Sequence, residues 1–207
     1  MISASYVSIK NNELTSNHIH YKTDDATKLI VIFPGGGNSC ERPVLNFLRK
    51  YYLDHQTDVL CISYSNIYLP DDANEVAMGK ITYALNEAIL QVKKFKDYEE
   101  TNYICESFGN IVSNEIKMKY PSMITKSAYI SPTIDGLEYI SKFPGLIITS
   151  TKDEYLDEPT IKDLKSRPKE TLLIIEGAGH SLMVDDVFES IDIVKVVVKR
   201  IIDYLEN

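Results

Sequence analysis

Tyr103-Ile104-Cys105-Glu106-Ser107-Phe108-Gly109-Asn110 is where the fold of this chain can be read. A short apolar run gives way here, across one serine, to residues with helical spacing. A serine on a sharp strand-to-helix turn stands above a sheet, near the positive end of the helix dipole. Such a turn crowds the positions two before and two after the serine, so both must be small. Here they are Cys105 and Gly109. On this segment alone, Ser107 reads equally as a helix-start residue satisfying a free backbone N–H.

Working outward, similar apolar runs recur at Leu29–Phe33, Val59–Tyr64, Ala128–Ile130, Leu146–Thr149 and Leu172–Ile175. They are near-continuous rather than alternating, and rich in Ile and Val, as expected of parallel strands covered on both faces. Helical patterns lie between them. Ile81, Leu85, Ala88, Ile89, Val92 and Phe95 form one apolar face. Val187, Ile191, Val194, Val198, Ile201 and Leu205 form another, which is expected to pack on the sheet. Alternation of this kind predicts an α/β fold with a mostly parallel sheet and helices on both faces. Tyr6–Ile9 and His18–Tyr21 flank the polar segment Asn11-Asn12-Glu13 and read as an antiparallel pair at one sheet edge. With no internal repeat or linker, residues 1–207 are expected to form one domain.

Composition narrows the function. The chain has 207 residues with 30 acidic and 22 basic side chains, a net charge of −8. Its pI is about 5.0, which argues against a nucleic-acid or anionic-membrane partner. Lys93, Lys94 and Lys96 are followed at once by Asp97, Glu99 and Glu100, and read as a solvated helix end. No run is long enough to span a bilayer, and the first residues show neither a charged leader nor an apolar stretch. Three cysteines, Cys40, Cys61 and Cys105, cannot form a paired framework. The expectation is a soluble, cytoplasmic protein.

Three further segments bear on chemistry. Phe33-Pro34-Gly35-Gly36-Gly37-Asn38-Ser39 leaves backbone N–H groups bare after an early strand. It can be a flexible turn, a phosphate cradle or a donor to an oxyanion. The phosphate reading lacks its Lys-Ser/Thr and its glycine spacing. Asp153 follows the strand Leu146–Thr149, on the edge where open α/β sheets place their sites, although a loop acid or helix cap fits equally. His180 lies in Glu176-Gly177-Ala178-Gly179-His180-Ser181, after the last strand. Of the other histidines, His18 and His20 share a strand face but lack a third metal ligand, and His55 reads as solvated. Ser166–Lys169 matches a Ser-x-x-Lys pattern but is interrupted by Pro168.

Ser107, Asp153 and His180, in that order and each after a successive strand, with a glycine loop upstream, resemble the α/β-hydrolase family over nearly the whole chain. The chain departs from the family pattern in having Cys105 for the first glycine of Gly-x-Ser-x-Gly, and Pro34 where the oxyanion loop often opens with His. The resemblance implies acyl transfer. Ser107 is the nucleophile, His180 the base, Asp153 its partner, and Phe108 with Gly36 or Gly37 the oxyanion donors. Asp157 is the reserve acid and Asp135 a weaker one. The expected substrate is a small ester with a short acyl chain, with no metal or organic cofactor. A thioesterase, an acyltransferase or a non-catalytic binding member would share these residues. Only Ser131–Pro144 is available as a lid, so an open site is expected. Ser63–Asp72, with Tyr64, Ile67, Tyr68 and Leu69, is either a pocket wall or ordinary packing.

Overall fold

The structure, a computed structural model, describes residues 1–207 apart from 12, 38 and 121–125. Asn12 of the predicted turn and Asn38 of the glycine loop thus lie outside the described residues. The strands are β1 (Ser3–Asn11), β2 (Leu14–Lys22), β3 (Lys28–Phe33), β4 (Asp58–Cys61), β5 (Glu100–Glu106), β6 (Ser127–Ile130), β7 (Leu146–Ser150) and β8 (Leu172–Ile175). Among the described residues the α-helices are α1 (Pro43–Asp54), α2 (Asn74–Phe95), α3 (Phe108–Lys119), α4 (Ile134–Ile140), α5 (Glu158–Leu164) and α6 (Val187–Glu206). One sheet holds the strands in the order β1-β2-β4-β3-β5-β6-β7-β8. β3 through β8 run parallel, and the β1–β2 hairpin docks on β4 through β2, which is antiparallel to both of its neighbours.

The continuous apolar runs follow from this arrangement. Successive strand residues face opposite sides, so Leu29, Val31 and Phe33 of β3 join one core with α2 and α3, while Ile30 and Ile32 join a second with α1 and α6. The helix starts carry local signals: Pro43 opens α1, Asp157 caps α5 by accepting from Thr160 N, and Asp186 caps α6 by accepting from Glu189 N.

Three expectations need correction. β4 stops at Cys61 rather than Tyr64: Ile62 N–H still donates to Ile32 O of β3 at 3.0 Å, but Ser63 N–H turns away to His18 Nδ1 at 3.2 Å. Phe95, the last residue of α2, is 84% exposed. In α6 the buried line is Val197, Ile201 and Leu205, whereas Val187 and Ile191 of the predicted stripe are exposed. Apolar side chains cover so much of this helix that the sheet takes only one flank of them.

α3 also buries Lys117, which is 3% exposed, with no carboxylate beside it. Its Nζ donates to Ser127 Oγ at 2.7 Å and Asn114 Oδ1 at 3.3 Å, and to Tyr129 Oη, and it lies 4.5 Å from the Tyr129 ring centroid. Burial lowers its pKa to about 8, because desolvation disfavours the ammonium. The unfolded chain keeps this proton up to its ordinary value of 10.5. The unfolded state therefore binds more protons between those values, and this group's contribution to stability rises with pH across that window. The stability of wild type relative to Lys117→Met is expected to increase by about 3 kcal/mol from below pH 8 to pH 10. Urea unfolding of both proteins across that range measures it, and a flat difference refutes it.

Candidate active site

Ser107 sits between the last residue of β5 and the first of α3 with φ +48° and ψ −115°. That is a strained conformation for a residue with a Cβ. Its N–H donates to Ile130 O of β6 at 2.9 Å, which locks the turn to the sheet. Gly109 is dictated by the close approach of α3 to β3, since a Cβ there would meet Phe33 O at 2.4 Å. Cys105 is fully buried, and burial pushes its thiol up to about 11, so it is a packing residue with no path to a ligand.

The structure brings Ser107, Asp153 and His180 together from three loops at the carboxyl ends of β5, β7 and β8. His180 Nε2 lies 2.9 Å from Ser107 Oγ. His180 Nδ1 lies 2.9 Å from each Asp153 carboxylate oxygen. Asp153 is 3% exposed, and Tyr155 N–H donates to its Oδ1 at 3.0 Å. The Tyr155 ring stands edge-on to the imidazole at 4.5 Å between centroids. Asp157 instead caps α5 and Asp135 lies in the first turn of α4, and neither hydrogen-bonds to His180.

The histidine loop is pinned by residues that sequence reading did not single out. Ser131 Oγ donates to His180 O at 2.7 Å and Ser150 Oγ to Gly179 O at 2.8 Å. Gly177 N–H donates to Thr151 Oγ1 at 2.9 Å, and His180 N–H to Glu154 Oε2 at 3.1 Å. The sequence shows only that hydroxyl residues stand at the carboxyl ends of two adjacent apolar strands, not what they bind.

The glycine loop lies against the serine turn. Gly36 is so close that a Cβ would touch Phe108 Cβ at 3.4 Å. Phe108 is the first residue of α3 and has an N–H without an intrahelical acceptor. Gly37 has φ +72°, a conformation suited to glycine. Gly35 N–H donates to Glu106 Oε2 at 3.2 Å, Arg42 Nε is 3.6 Å from Glu106 Oε1, and Tyr64 Oη donates to Pro34 O at 3.0 Å. Glu106 thus ties the loop to the strand that carries Ser107.

A cleft of about 320 Å³ opens over Ser107 and His180, bordered by Gly36, Arg42, Glu106, Glu154, Tyr155, Gly179 and Ser181. Gly37 does not border it. The segment Ser63–Asp72 does not either: Tyr64 packs edge-on against Phe108, Ile67 is buried in the core, and Tyr68 and Leu69 face solvent. Within Ser131–Pro144, α4 packs beside α3, with Tyr139 Oη donating to Glu115, and leaves the cleft uncovered. His18 and His20 are buried inside the sheet. Burial lowers His18 to about pKa 4, and His20 lies 3.6 Å from Asp58. Among the described residues no group of three or more His, Cys, Asp or Glu side chains is placed to hold a metal ion.

An eight-stranded, mostly parallel sheet with an antiparallel edge, carrying a strained serine turn after β5, defines the α/β-hydrolase fold. Solved structures agree over nearly the full length. A dienelactone hydrolase from Anabaena variabilis superposes with TM-score 0.67 at 14% identity, covering 98% of each chain. A putative α/β hydrolase of unknown function from Agrobacterium tumefaciens gives 0.68 at 18% identity, covering 98% of this chain and 95% of its own. Est1E from Butyrivibrio proteoclasticus gives 0.65 at 13% identity, covering 98% and 99%. No family model matches the chain, and no curated protein matches it in sequence. No described helix is long and apolar enough to cross a membrane.

Proposed function

We propose that this protein is a serine hydrolase that cleaves a small carboxylic ester through an acyl-enzyme. The observation that carries the reading is the hydrogen-bonded line from Ser107 Oγ through His180 to a buried Asp153, at 2.9 Å on either side of the imidazole. A solvated loop acid or a helix-start serine has no need of that alignment. Similarity in fold to a dienelactone hydrolase and to Est1E is consistent with it.

In the first half-reaction Ser107 Oγ bonds to the carbonyl carbon as its proton passes to His180 Nε2. The oxyanion that forms is met by the N–H of Phe108 and one from the glycine loop, with Gly36 the better placed of the two glycines because it borders the cleft. Asp153 holds the imidazole with its proton on Nδ1 and stabilises the imidazolium. The C–O bond to the alcohol then breaks, and His180 returns the proton to the departing oxygen. Water repeats the sequence on the acyl-enzyme, releasing the acid and regenerating Ser107.

The test is reaction of the folded protein with a fluorophosphonate, read by intact mass, alongside hydrolysis of p-nitrophenyl and thioester substrates of increasing acyl length. One phosphonyl adduct on Ser107 and a preference for short oxygen esters are expected from the shallow, uncovered cleft. A well-folded protein that takes up no label refutes the reading. A thioester preference would keep the serine and change the substrate.

A further inference from the structure

α6 carries more apolar surface than the sheet covers. Val187, Phe188 and Ile191 are 67%, 78% and 58% exposed, and Phe47 of α1 is 56% exposed. Between α1 and α6 runs an open groove of about 970 Å³, its apolar wall formed by side chains such as Phe47, Tyr51, Ile191, Val194 and Val198, with Lys195 and Lys199 also lining it. The chain leaving the histidine loop reaches the same groove through Met183 and Val184. A contiguous apolar surface of this extent is seldom left to water.

The charges on α6 point to what covers it. Asp185, Asp186, Glu189 and Asp192 cluster at the start of the helix, and Lys195, Lys199 and Arg200 follow. Asp192, Lys195 and Lys199, spaced by three and seven residues, share one side of the helix. None of these three has an ion-pair partner among the described residues. Two such helices laid parallel would set like charges together. Laid antiparallel about a two-fold axis near Val194, each acidic end meets the other's basic middle. The surface is therefore self-complementary, as a two-fold interface must be. An anionic bilayer is a poor alternative for a chain of net charge −8.

We propose that the α1–α6 face is a homodimer interface, with α6 of two copies antiparallel and Phe188 of each seated in the groove of the other. Phe188 is the aromatic anchor of the contact, and Asp192 pairs with Lys195 or Lys199 of the second copy.

Sedimentation velocity of the full chain over a concentration series tests this. Wild type is expected to be a dimer at micromolar concentration. Phe188→Asp and Ile191→Asp are expected to be monomers with unchanged far-UV circular dichroism, because both positions are exposed in the single chain. Lys195→Glu with Lys199→Glu should weaken the dimer at least about tenfold, and adding Asp192→Lys should recover part of that loss. A wild type that stays monomeric at every concentration overturns the proposal, as does a dimer that survives both aspartate substitutions. Flotation of a monomeric wild type with phosphatidylcholine vesicles would make the occupant lipid and overturn it equally.

Discussion

Ser107→Ala is expected to lower kcat for a short-chain p-nitrophenyl ester by on the order of 10⁶-fold, with the fold intact. The loss is large because, in the proposed mechanism, the hydroxyl forms the bond that defines the acyl-enzyme. His180 and the oxyanion donors have no substrate carbon to act on through that route once Oγ is gone. The fold should survive because the structural demands of the turn are met by others: the Ser107 backbone N–H on Ile130 O, and the absence of a Cβ at Gly109. Ser107→Gly sharpens the test. It removes the same oxygen and relieves the φ of +48°, so it should be as inactive as Ser107→Ala yet about 1 kcal/mol more stable. Activity retained within tenfold in either variant would show that Ser107 is not the nucleophile.

Asp153→Asn is expected to cost about 10⁴-fold in kcat, roughly 5.5 kcal/mol of transition-state stabilisation. Both Asp153 oxygens lie on His180 Nδ1, and the side chain is buried, so an amide there cannot turn away into water. An amide NH₂ facing Nδ1 makes that nitrogen the acceptor and moves the ring proton to Nε2. Nε2 then cannot take the proton of Ser107. Glu154 touches the same loop through the backbone N–H of His180 alone, and Glu154→Gln should cost less than tenfold. Steady-state kinetics on both variants separate these roles. Equal effects at 153 and 154 would mean that loop position, rather than the tautomer, governs activity.

Much of the fold was legible because both faces of its strands are buried. A strand covered on two sides must be apolar at every position, and such runs mark β3, β6, β7 and β8 almost to the residue. β5 begins earlier than its apolar run, at Glu100, because Asn102 is buried with its amide spent on Glu100 and Lys126 N–H. Buried polar residues of that kind look like loop in a sequence. The order serine, acid, histidine was equally plain, since each follows a strand end. Which hydroxyls hold the histidine loop was not, because Ser131 and Ser150 act on the backbone of residues 49 and 29 positions away. Lys117 belongs with them: nothing along the chain distinguishes it from the exposed Lys119 of the same helix.

Periodicity records which side of an element is apolar, and that is a local property of the chain. It therefore determined the strands, the sheet class and the loops that bear Ser107, Asp153 and His180. What lies against each apolar side is a matter of how the elements are set in space. Only the tertiary structure decided that the sheet covers Val197, Ile201 and Leu205 of α6 and leaves Val187 and Ile191 to water. It alone decided that Glu106 fastens the glycine loop and that Ser63–Asp72 stays clear of the cleft. Burial is shared between two surfaces, and a sequence shows one of them at a time.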